Sequence, residues 1–340
     1  FVVITGRRRV GKTSLVYRLM QITENESVSL YFFVGRKTET DLVKTFADEE
    51  HLKAAVFTFW PHPRITLDEH YKPDLLNTIG EKRELLGSAP IDYCIFTQFT
   101  MDLADLCAYD FMKKVLKEQL NVKHLVIGYD HRFGRNRSEG FEDYVRFGAA
   151  CGMTVVQEPV YNDGSGNNYS SSEVRRALVA GDIQKATTLL GSFYRLQGEV
   201  VHGHKLGRQL GFPTANIDPH NDDKIRPENG VYAGIATLSD GHSYPTMINI
   251  GCRPTVDNTQ KITFEAHLIG FKGDLYGQYL SLDFVERIRD ERKMNSLEEL
   301  KEQLTKDCDL VPVVIRSREG GHIRRCATTD ADLTLDTLLK

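Results

Sequence analysis

The sequence predicts an α/β domain with a parallel sheet, followed by a small antiparallel β-barrel. Two observations lead to this prediction. Up to about residue 190, short apolar strands alternate with helical stretches, which is typical of a parallel sheet with helices on both faces. From about residue 197, short strands with a period-two pattern follow at regular spacing, punctuated by Gly and Pro, which is typical of a barrel.

The first domain is predicted to hold six strands and several helices. The strands are expected at 1–5, 28–33, 54–59, 92–97, 123–129 and 153–157, and the helices at 38–50, 78–87, 104–120, 139–150 and 171–190. Thr78 followed by Glu81 fits the capping box that begins a helix. Ligands of parallel sheets bind at the carboxyl ends of the strands, so the loops that follow these strands are candidate nucleotide sites.

The second domain is predicted to hold five regular strands and a closing helix. The strands are expected at 197–202, 231–238, 244–250, 262–269 and 279–285. The helix is expected from Ser296 to Thr305, with Glu299 three residues after the capping Ser296. Residues 309–340 are charged, contain Gly and show no clear period, so no regular structure is predicted there.

The composition indicates a soluble globular protein of two or three domains, because 41% of the 340 residues are apolar and 26% are charged. The net charge of -4 gives no sign of a nucleic-acid partner, and no apolar run reaches the length of a membrane span. The six cysteines form no C-x-x-C pair, which argues against a zinc site and a disulfide scaffold and favours a reducing, cytoplasmic location.

The first residues of the chain contain the phosphate-loop pattern G-x-x-x-x-G-K-T. It is formed by Gly6, Gly11, Lys12 and Thr13. In such a loop the backbone N–H groups face phosphate oxygens, the Lys reaches the β- and γ-phosphates and the Thr hydroxyl binds magnesium. An ATPase also needs an acidic residue on a neighbouring strand, and Asp130 is the one candidate. The alternative is a basic, Gly-containing turn between a strand and a helix.

The densest pattern of candidate binding residues lies in the barrel. Glycines and basic side chains that suit a phosphate-binding loop are Gly203, Lys205, Gly207 and Arg208. Thr214 and Asn216 offer hard oxygen ligands on one face of a strand, which suits Mg²⁺ carried by ATP. Glu265 interrupts an apolar strand, where a carboxylate is costly unless it has a function or a partner. The alternative for Glu265 is a salt-bridged strand residue.

Five motifs in this order resemble the riboflavin kinase module of bifunctional bacterial riboflavin kinase/FAD synthetases. They are Gly-Phe-Pro-Thr-Ala-Asn at 211–216, Gly-Val-Tyr-x-Gly at 230–234, Asn-Ile-Gly-x-Arg-Pro-Thr at 249–255, Glu-x-His-Leu at 265–268 and Arg-x-Glu-x-Lys at 289–293. The resemblance covers about 190–306. It implies that Thr214 and Asn216 hold Mg-ATP, that the 203–208 loop wraps the phosphates and that Glu265 is the catalytic base.

The same resemblance places Arg289 and Arg292 near the flavin-side flap, with a solvated surface pair as the alternative. Three upstream motifs, at 58–63, 128–134 and 170–175, resemble the adenylyltransferase module and imply a nucleotidyltransferase-like sheet. The implied nucleotide contacts are His62, Asp130, Ser171, Ser172 and Arg175. The serines could instead be only a helix N-cap, and His62 only a turn residue between two prolines.

One departure from this family is large. The adenylyltransferase module normally begins with a strand and a Gly-x-Phe-Asp-Gly-x-His-x-Gly-His sequence, and this chain has no such sequence. Residues 1–49 resemble the N-terminus of an AAA-type P-loop ATPase instead. Four parts are therefore predicted: 1–49 as an ATPase-like fragment, 50–188 as a truncated adenylyltransferase, 189–307 as the riboflavin kinase and 308–340 as a tail of unknown origin.

The resemblance implies a transferase that phosphorylates riboflavin to FMN with ATP and Mg²⁺. Adenylylation of FMN to FAD is the family's second activity. It is expected to be impaired, because the histidine loop that stabilises transition-state charge in the family is missing from this chain. Riboflavin, FMN and ATP are the expected partners, without nucleic acid or membrane. One alternative is a P-loop ATPase or switch fused to flavin modules. Another is a misfolded or flavin-binding product whose sheet has lost its first strand and exposes an edge.

Overall fold

A computed structural model describes residues 28–32, 44, 47–128, 131–157, 169–203, 206–221, 223–254 and 260–319. The chain divides into two compact units, residues 1–73 with 83–166 and residues 74–82 with 167–340. The predicted boundary at 188/189 follows sequence motifs and stays a prediction. The contacts divide the chain earlier because the helical segment 171–190 packs into the core of the barrel.

The first unit contains a five-stranded parallel sheet, as predicted. Its strands are β1 Val28–Phe32, β2 Lys53–Phe59, β3 Tyr93–Thr97, β4 Val122–Ile127 and β5 Thr154–Gln157. Their order across the sheet is β3-β2-β1-β4-β5, and every pair is parallel. The strand predicted at 1–5 lies outside the described residues.

Strand β1 lies at the centre of this sheet. Leu30 is opposite Ala55 of β2 on one side and Leu125 of β4 on the other. The exposed sheet edge expected from the loss of the family's own first strand is not found at this position, since a strand that precedes residue 50 lies between β2 and β4. The Val-Ser-Leu-Tyr-Phe sequence suits this position because branched and aromatic residues favour strands.

The helices of the first unit are short. They are Pro63–Leu67, Ile79–Gly87 (which continues from the second unit), Met101–Ala104, Ala108–Asp110, a π-helical segment Phe111–Lys117, a 3₁₀ turn Arg135–Arg137 and Phe141–Cys151, with further helical residues at 44 and 47–49. The single helix predicted at 104–120 is wrong. The helix that Thr100 caps ends at Ala104, and Cys107 begins a new helical segment by accepting the Asp110 N–H at 3.5 Å, so the stretch is divided between these two segments.

The second unit is a closed six-stranded barrel. Its strands are β6 Tyr194–Val201, β7 Ala215–Asp218, β8 Gly230–Leu238, β9 Ser243–Pro254, β10 Gln260–Leu268 and β11 Tyr279–Arg289, in the order β10-β7-β6-β11-β8-β9. The regular strands predicted from period-two patterning are five of these six, and β7 completes the closure. Alternate side chains such as Leu196, Ile217, Ile248, Phe264 and Phe284 fill the interior.

Besides the start of Ile79–Gly87, the described residues of the second unit contain four helices. They are Ser171–Val179, Ile183–Leu190, Leu206–Leu210 and Leu297–Glu319, and the last is called the long helix below. The helix predicted at 171–190 breaks at Gly181, whose φ of 73° is left-handed, and restarts after the N-cap Asp182. The predicted capping box is confirmed, because Thr78 N donates to Glu81 and Glu81 N donates to Thr78, at 2.8 and 3.2 Å.

The long helix runs well past its predicted end at Thr305. The prediction of irregular structure from residue 309 is wrong for 309–319, which continue the helix through Pro312. Val311 and Ile315 are buried against β8, β9 and β11 on the outside of the barrel. This packing outweighs the hydrogen bond that Pro312 cannot donate.

None of the helices in the described parts of the chain is both long and apolar enough to cross a membrane.

Candidate active site

A transverse row of residues on the outer face of the barrel forms the site. Asn216 of β7 lies opposite Glu265 of β10, and Glu265 lies opposite Asn249 of β9. Asn249 in turn faces Val231 of β8, which faces Arg289 of β11. Directly opposite residues share one face of a sheet, with Cβ atoms about 5 Å apart. In β7, β9 and β10 the residues next to the row belong to the interior core, so the row points outward.

The whole row lines one cavity of about 230 Å³. Apolar side chains from the 206–214 segment, from β9 and from the long helix form its walls, among them Phe212, Met247, Leu300 and Leu304. The cavity thus combines an apolar surface with a few polar groups, the usual composition of a small-molecule site. All of the lining residues in the described part of the chain belong to the second unit, to the barrel and its long helix.

Glu265 and Thr214 form the polar centre of the cavity. The Thr214 hydroxyl donates to the Glu265 carboxylate at 3.2 Å. Thr214 immediately precedes β7. Asn216, two residues later, lies in β7 directly opposite Glu265. The three side chains that the sequence selected for the kinase reaction therefore lie together.

The segment that carries Thr214 is fixed by His267. Nδ1 of His267 donates to the Pro213 carbonyl at 2.8 Å, since a carbonyl oxygen can only accept. The Phe212 ring packs edge-on against the imidazole, with centroids 5.5 Å apart. Strand β10 thus places Glu265 in the cavity and, two residues later, holds the backbone next to Thr214.

Gly203 and Gly207 allow close approach to the site. A Cβ on Gly203 would overlap the Asn216 amide, and a Cβ on Gly207 would overlap the Phe212 carbonyl oxygen. Gly207 also lines the cavity, and Arg208 of the same short helix is exposed. Lys205 lies outside the described residues. The glycines therefore keep the loop packed around the residues of the row.

The donor set of the cavity fits Mg²⁺. Thr214 and Asn216 offer a hydroxyl and an amide oxygen, and a carboxylate lies beside them at Glu265. Mg²⁺ prefers such hard oxygens and commonly takes few protein ligands when phosphates and water supply the others. Among the described residues, no group of three or more His, Cys, Asp or Glu is arranged to hold a metal ion.

The two predicted flavin-side arginines are bound to the long helix. Nε and Nη2 of Arg289 bind Oδ2 of Asp307 at 2.9 and 2.8 Å. Nη2 of Arg292 donates to Oε1 of Gln303 at 2.8 Å. Both arginines line the cavity, but Arg292 is exposed, whereas Arg289 is 19% exposed and does not belong to a solvated surface pair.

The adenylyltransferase candidates occupy ends of helices. His62, in the first unit, follows the carboxyl end of β2 and caps a helix by accepting from Arg64 N at 3.3 Å. In the second unit, Ser170 is the N-cap of the helix that begins at Ser171, so Ser171 and Ser172 lie in its first turn. Arg175, on that helix, donates to the Asp74 carbonyl at 2.6 Å. The other candidates, Asp130, Gly6, Gly11, Lys12 and Thr13, lie outside the described residues.

Sequence reasoning missed four polar residues of the cavity region. Asn249 and Glu291 line the cavity, while Gln303 and Asp307 hold its arginines. Asn249 and Glu291 stand within quoted motifs, so the motifs themselves were the available signal. Asp307 had no such signal, because a helix predicted to end at Thr305 excludes it.

Comparisons with known proteins agree with this geometry. A family model described as riboflavin kinase matches residues 190–314, and one described as FAD synthetase matches residues 35–173. A bifunctional riboflavin kinase/FMN adenylyltransferase of Haemophilus influenzae is 34% identical over 284 residues, which are 84% of this chain and 91% of the relative. This chain belongs to that family. The FAD synthetase match begins at residue 35, and the module boundary predicted at residue 50 stays a prediction.

Other relatives carry the same description. The Pseudomonas fluorescens protein is 36% identical over 77% of this chain and 82% of its own length, and the Bacillus subtilis protein is 34% identical over 81% and 86%. Among solved structures, one described as a macrolide-efflux protein from Streptococcus pneumoniae matches with a TM-score of 0.73 and 27% identity, over 85% of this chain and 96% of that one. The similarity to this structure concerns the fold. The word efflux in its description refers to that protein alone. The alternative of a P-loop ATPase fused to flavin modules is not supported, since both matching family models describe flavin enzymes.

Proposed function

We propose that the barrel unit transfers the γ-phosphoryl group of ATP to the 5′-hydroxyl of riboflavin and produces FMN. The observation that carries this proposal is the contact of Thr214 with Glu265, in register with Asn216, at the wall of an outward-facing cavity. The membership of the chain in the riboflavin kinase/FMN adenylyltransferase family supports the choice of substrates.

Glu265 is the proposed general base. Its carboxylate accepts the proton of the riboflavin hydroxyl as that oxygen bonds to the γ-phosphorus and ADP leaves. The hydrogen bond from Thr214 and the position between two asparagines orient this carboxylate. Bound Mg²⁺ would neutralise phosphate charge, and Thr214 and Asn216 are the residues proposed to hold it.

The proposed phosphate and acceptor sides lie at opposite ends of the row. Asn216, next to Thr214 and the Gly203 backbone, marks the phosphate end. Val231 and Arg289 mark the other end, where apolar side chains of the long helix suit the flat ring of a flavin. Glu265 lies between the two ends, as a base that acts on the acceptor hydroxyl requires.

The test is the variant Glu265→Gln, which keeps the shape of the side chain and removes the base. FMN formation from riboflavin and Mg-ATP, followed by chromatography, is expected to fall about a hundredfold or more, the usual contribution of a general base. Glu199→Gln is the matched control, because Glu199 also lies on a barrel strand but pairs with His220 and does not line the cavity. Wild-type FMN formation by the Glu265 variant would contradict the assignment.

A second activity, adenylylation of FMN to FAD, is proposed for the first unit and is expected to be weak. The parallel sheet, with His62 at the carboxyl end of β2, supports a nucleotide site at that edge. Asp130 stays a predicted nucleotide contact, as do Ser171, Ser172 and Arg175 on a helix of the second unit, and these four rest on the family motifs alone. The chain contains no His-x-Gly-His sequence, and the loss of even one donor that stabilises transition-state charge costs on the order of a hundredfold in rate.

A further inference from the structure

A chain of hydrogen bonds joins the long helix to the flavin end of the cavity. It runs from Arg292 to Gln303 at 2.8 Å, from Gln303 to Asp307 at 2.7 Å and from Asp307 to Arg289 at 2.8 and 2.9 Å. Gln303 and Asp307 are one helical turn apart, so their side chains lie on one face of the helix. That face also carries Leu300 and Leu304, which line the cavity.

The network fixes both side chains of the helix. Gln303 accepts from Arg292 with its amide oxygen and donates to Asp307 with its amide nitrogen, so its orientation is determined at both ends. Oδ1 of Asp307 takes the Gln303 bond and Oδ2 takes the Arg289 bonds. Asp307 is 2% exposed, and a carboxylate so deeply buried is stabilised by its bonds to the guanidinium group.

The bonds that hold Arg289 engage only some of its N–H groups. Its bonds to Asp307 and the bond from Nη1 to the Asp290 carbonyl engage three of its five N–H groups. The residue still borders the cavity, at the end of the row away from Thr214. Asp307 therefore sets the plane of a guanidinium group that faces the substrate volume.

We propose that Asp307 and Gln303 are positioning residues for riboflavin binding. They hold Arg289 and Arg292 at the flavin end of the cavity, where the arginine N–H groups donate to the carbonyl oxygens of the isoalloxazine ring. Neither helix residue touches the reacting atoms, so they affect riboflavin affinity and leave ATP binding unchanged. This inference rests on the proposed kinase function of the same cavity.

The experiment compares Asp307→Asn with Asp309→Asn. Both replace an Asp of the long helix by its neutral isostere, but Asp309 is exposed and does not line the cavity. Riboflavin binding is measured by quenching of flavin fluorescence, and the steady-state KM values for riboflavin and for ATP are measured separately. Asp307→Asn is expected to weaken riboflavin binding about tenfold or more, the effect of a lost charge-assisted hydrogen bond, and to leave the KM for ATP within about twofold.

Gln303→Ala is the second variant, because Asp307→Asn leaves a largely buried guanidinium group without its counter-charge and can prevent folding. It breaks the bridge to Arg292 but keeps the Arg289–Asp307 pair. A several-fold higher KM for riboflavin, with an unchanged KM for ATP, is expected. If Asp307→Asn does not fold, the KM values of Gln303→Ala decide whether the positioning role holds.

Riboflavin binding equal to that of the Asp309→Asn control in every folded variant would overturn the positioning role. A parallel rise in both KM values would also overturn it, because it would indicate general damage to the barrel. Failure of the proposed function is recognised separately, since wild-type chain would then produce no FMN while the binding comparison still gave a result.

Discussion

Glu265 and Asn216 show how single positions on a barrel strand acquire a function. The interior of β10 is filled by Phe264 and Ala266, while Glu265 points outward and is only half-buried. The sequence argument required a function or a partner for a carboxylate in this strand, and the Thr214 hydroxyl is such a partner. What supports a catalytic role is the register, which sets Glu265 beside Asn216 and within 3.2 Å of the Thr214 hydroxyl.

Tyr232 makes the stability of the barrel depend on pH in the alkaline range. Burial raises the pKa of its hydroxyl from 10.0 to about 12, and the hydroxyl donates to the Glu228 carbonyl. Between these pH values the unfolded chain has lost the proton and the folded chain keeps it. The free energy of unfolding should therefore fall as the pH rises from 10 towards 12.

Tyr232→Phe should reduce this slope by about one proton per chain, because Phe has no proton to lose. Urea unfolding at a series of alkaline pH values measures the slope for both proteins. The slope, rather than the absolute stability, is the readout, since the variant also loses a hydrogen bond at every pH. An unchanged slope would show that Tyr232 titrates equally in the folded and unfolded chains.

At the scale of elements, the long helix has two roles. Its Val311 and Ile315 pack against the outside of the barrel, and its Gln303 and Asp307 bind the cavity arginines. The packing holds the helix in place, so the polar face is presented at a fixed position. One element therefore packs on the barrel and also carries the two residues proposed to position the substrate.

Ile315→Ala should lower the free energy of unfolding by about 2–5 kcal/mol, because Ile315 is 2% exposed and the smaller side chain leaves a cavity. Val313→Ala is the matched control, since Val313 lies on the same helix and is 57% exposed. Its effect should stay within about 0.5 kcal/mol. Chemical denaturation of the two variants gives the comparison, and equal effects would show that the helix end does not pack on the barrel.

At the scale of the whole molecule, each unit has a hydrophobic core of its own. The described residues that line the proposed kinase site all belong to the second unit, and none of them comes from the unusual N-terminal sequence. The adenylyl reaction is proposed for the first unit, in which strand β1 fills the centre of the sheet without a His-x-Gly-His sequence after it. We therefore expect the kinase activity to be better preserved than the adenylyl activity.

The purified chain should convert riboflavin to FMN readily but convert added FMN to FAD at least about a hundredfold more slowly than the Haemophilus influenzae relative assayed in parallel. Chromatographic separation of FMN and FAD over time measures both steps in one sample, and the kinase step serves as the internal control for folding. FAD formation at the rate of the relative would show that residues other than a histidine loop suffice for adenylyl transfer.

The local patterns of the sequence were sufficient for much of the fold. Alternation of strands and helices predicted the parallel sheet, and period-two patterning predicted the barrel, because these periods follow from backbone geometry. Thr78 and Glu81 marked a helix start because a capping box acts within four residues. Thr214, Asn216 and Glu265 were selected together because their motifs have a fixed order in the family.

Other features depend on contacts between residues that are distant in sequence. The central position of β1 follows from its pairing with two strands, and the helix through Pro312 follows from burial of Val311 and Ile315 on the barrel. Local propensity opposes that helix, and packing outweighs it. The burial of Asp307 beside Arg289 could not be predicted for the same reason. The sequence by itself determined the two kinds of sheet and the catalytic candidates. Only the tertiary structure decided the strand order, the outward row and the arginine-binding face of the long helix, because each of these is set by contacts with residues that are distant in the sequence.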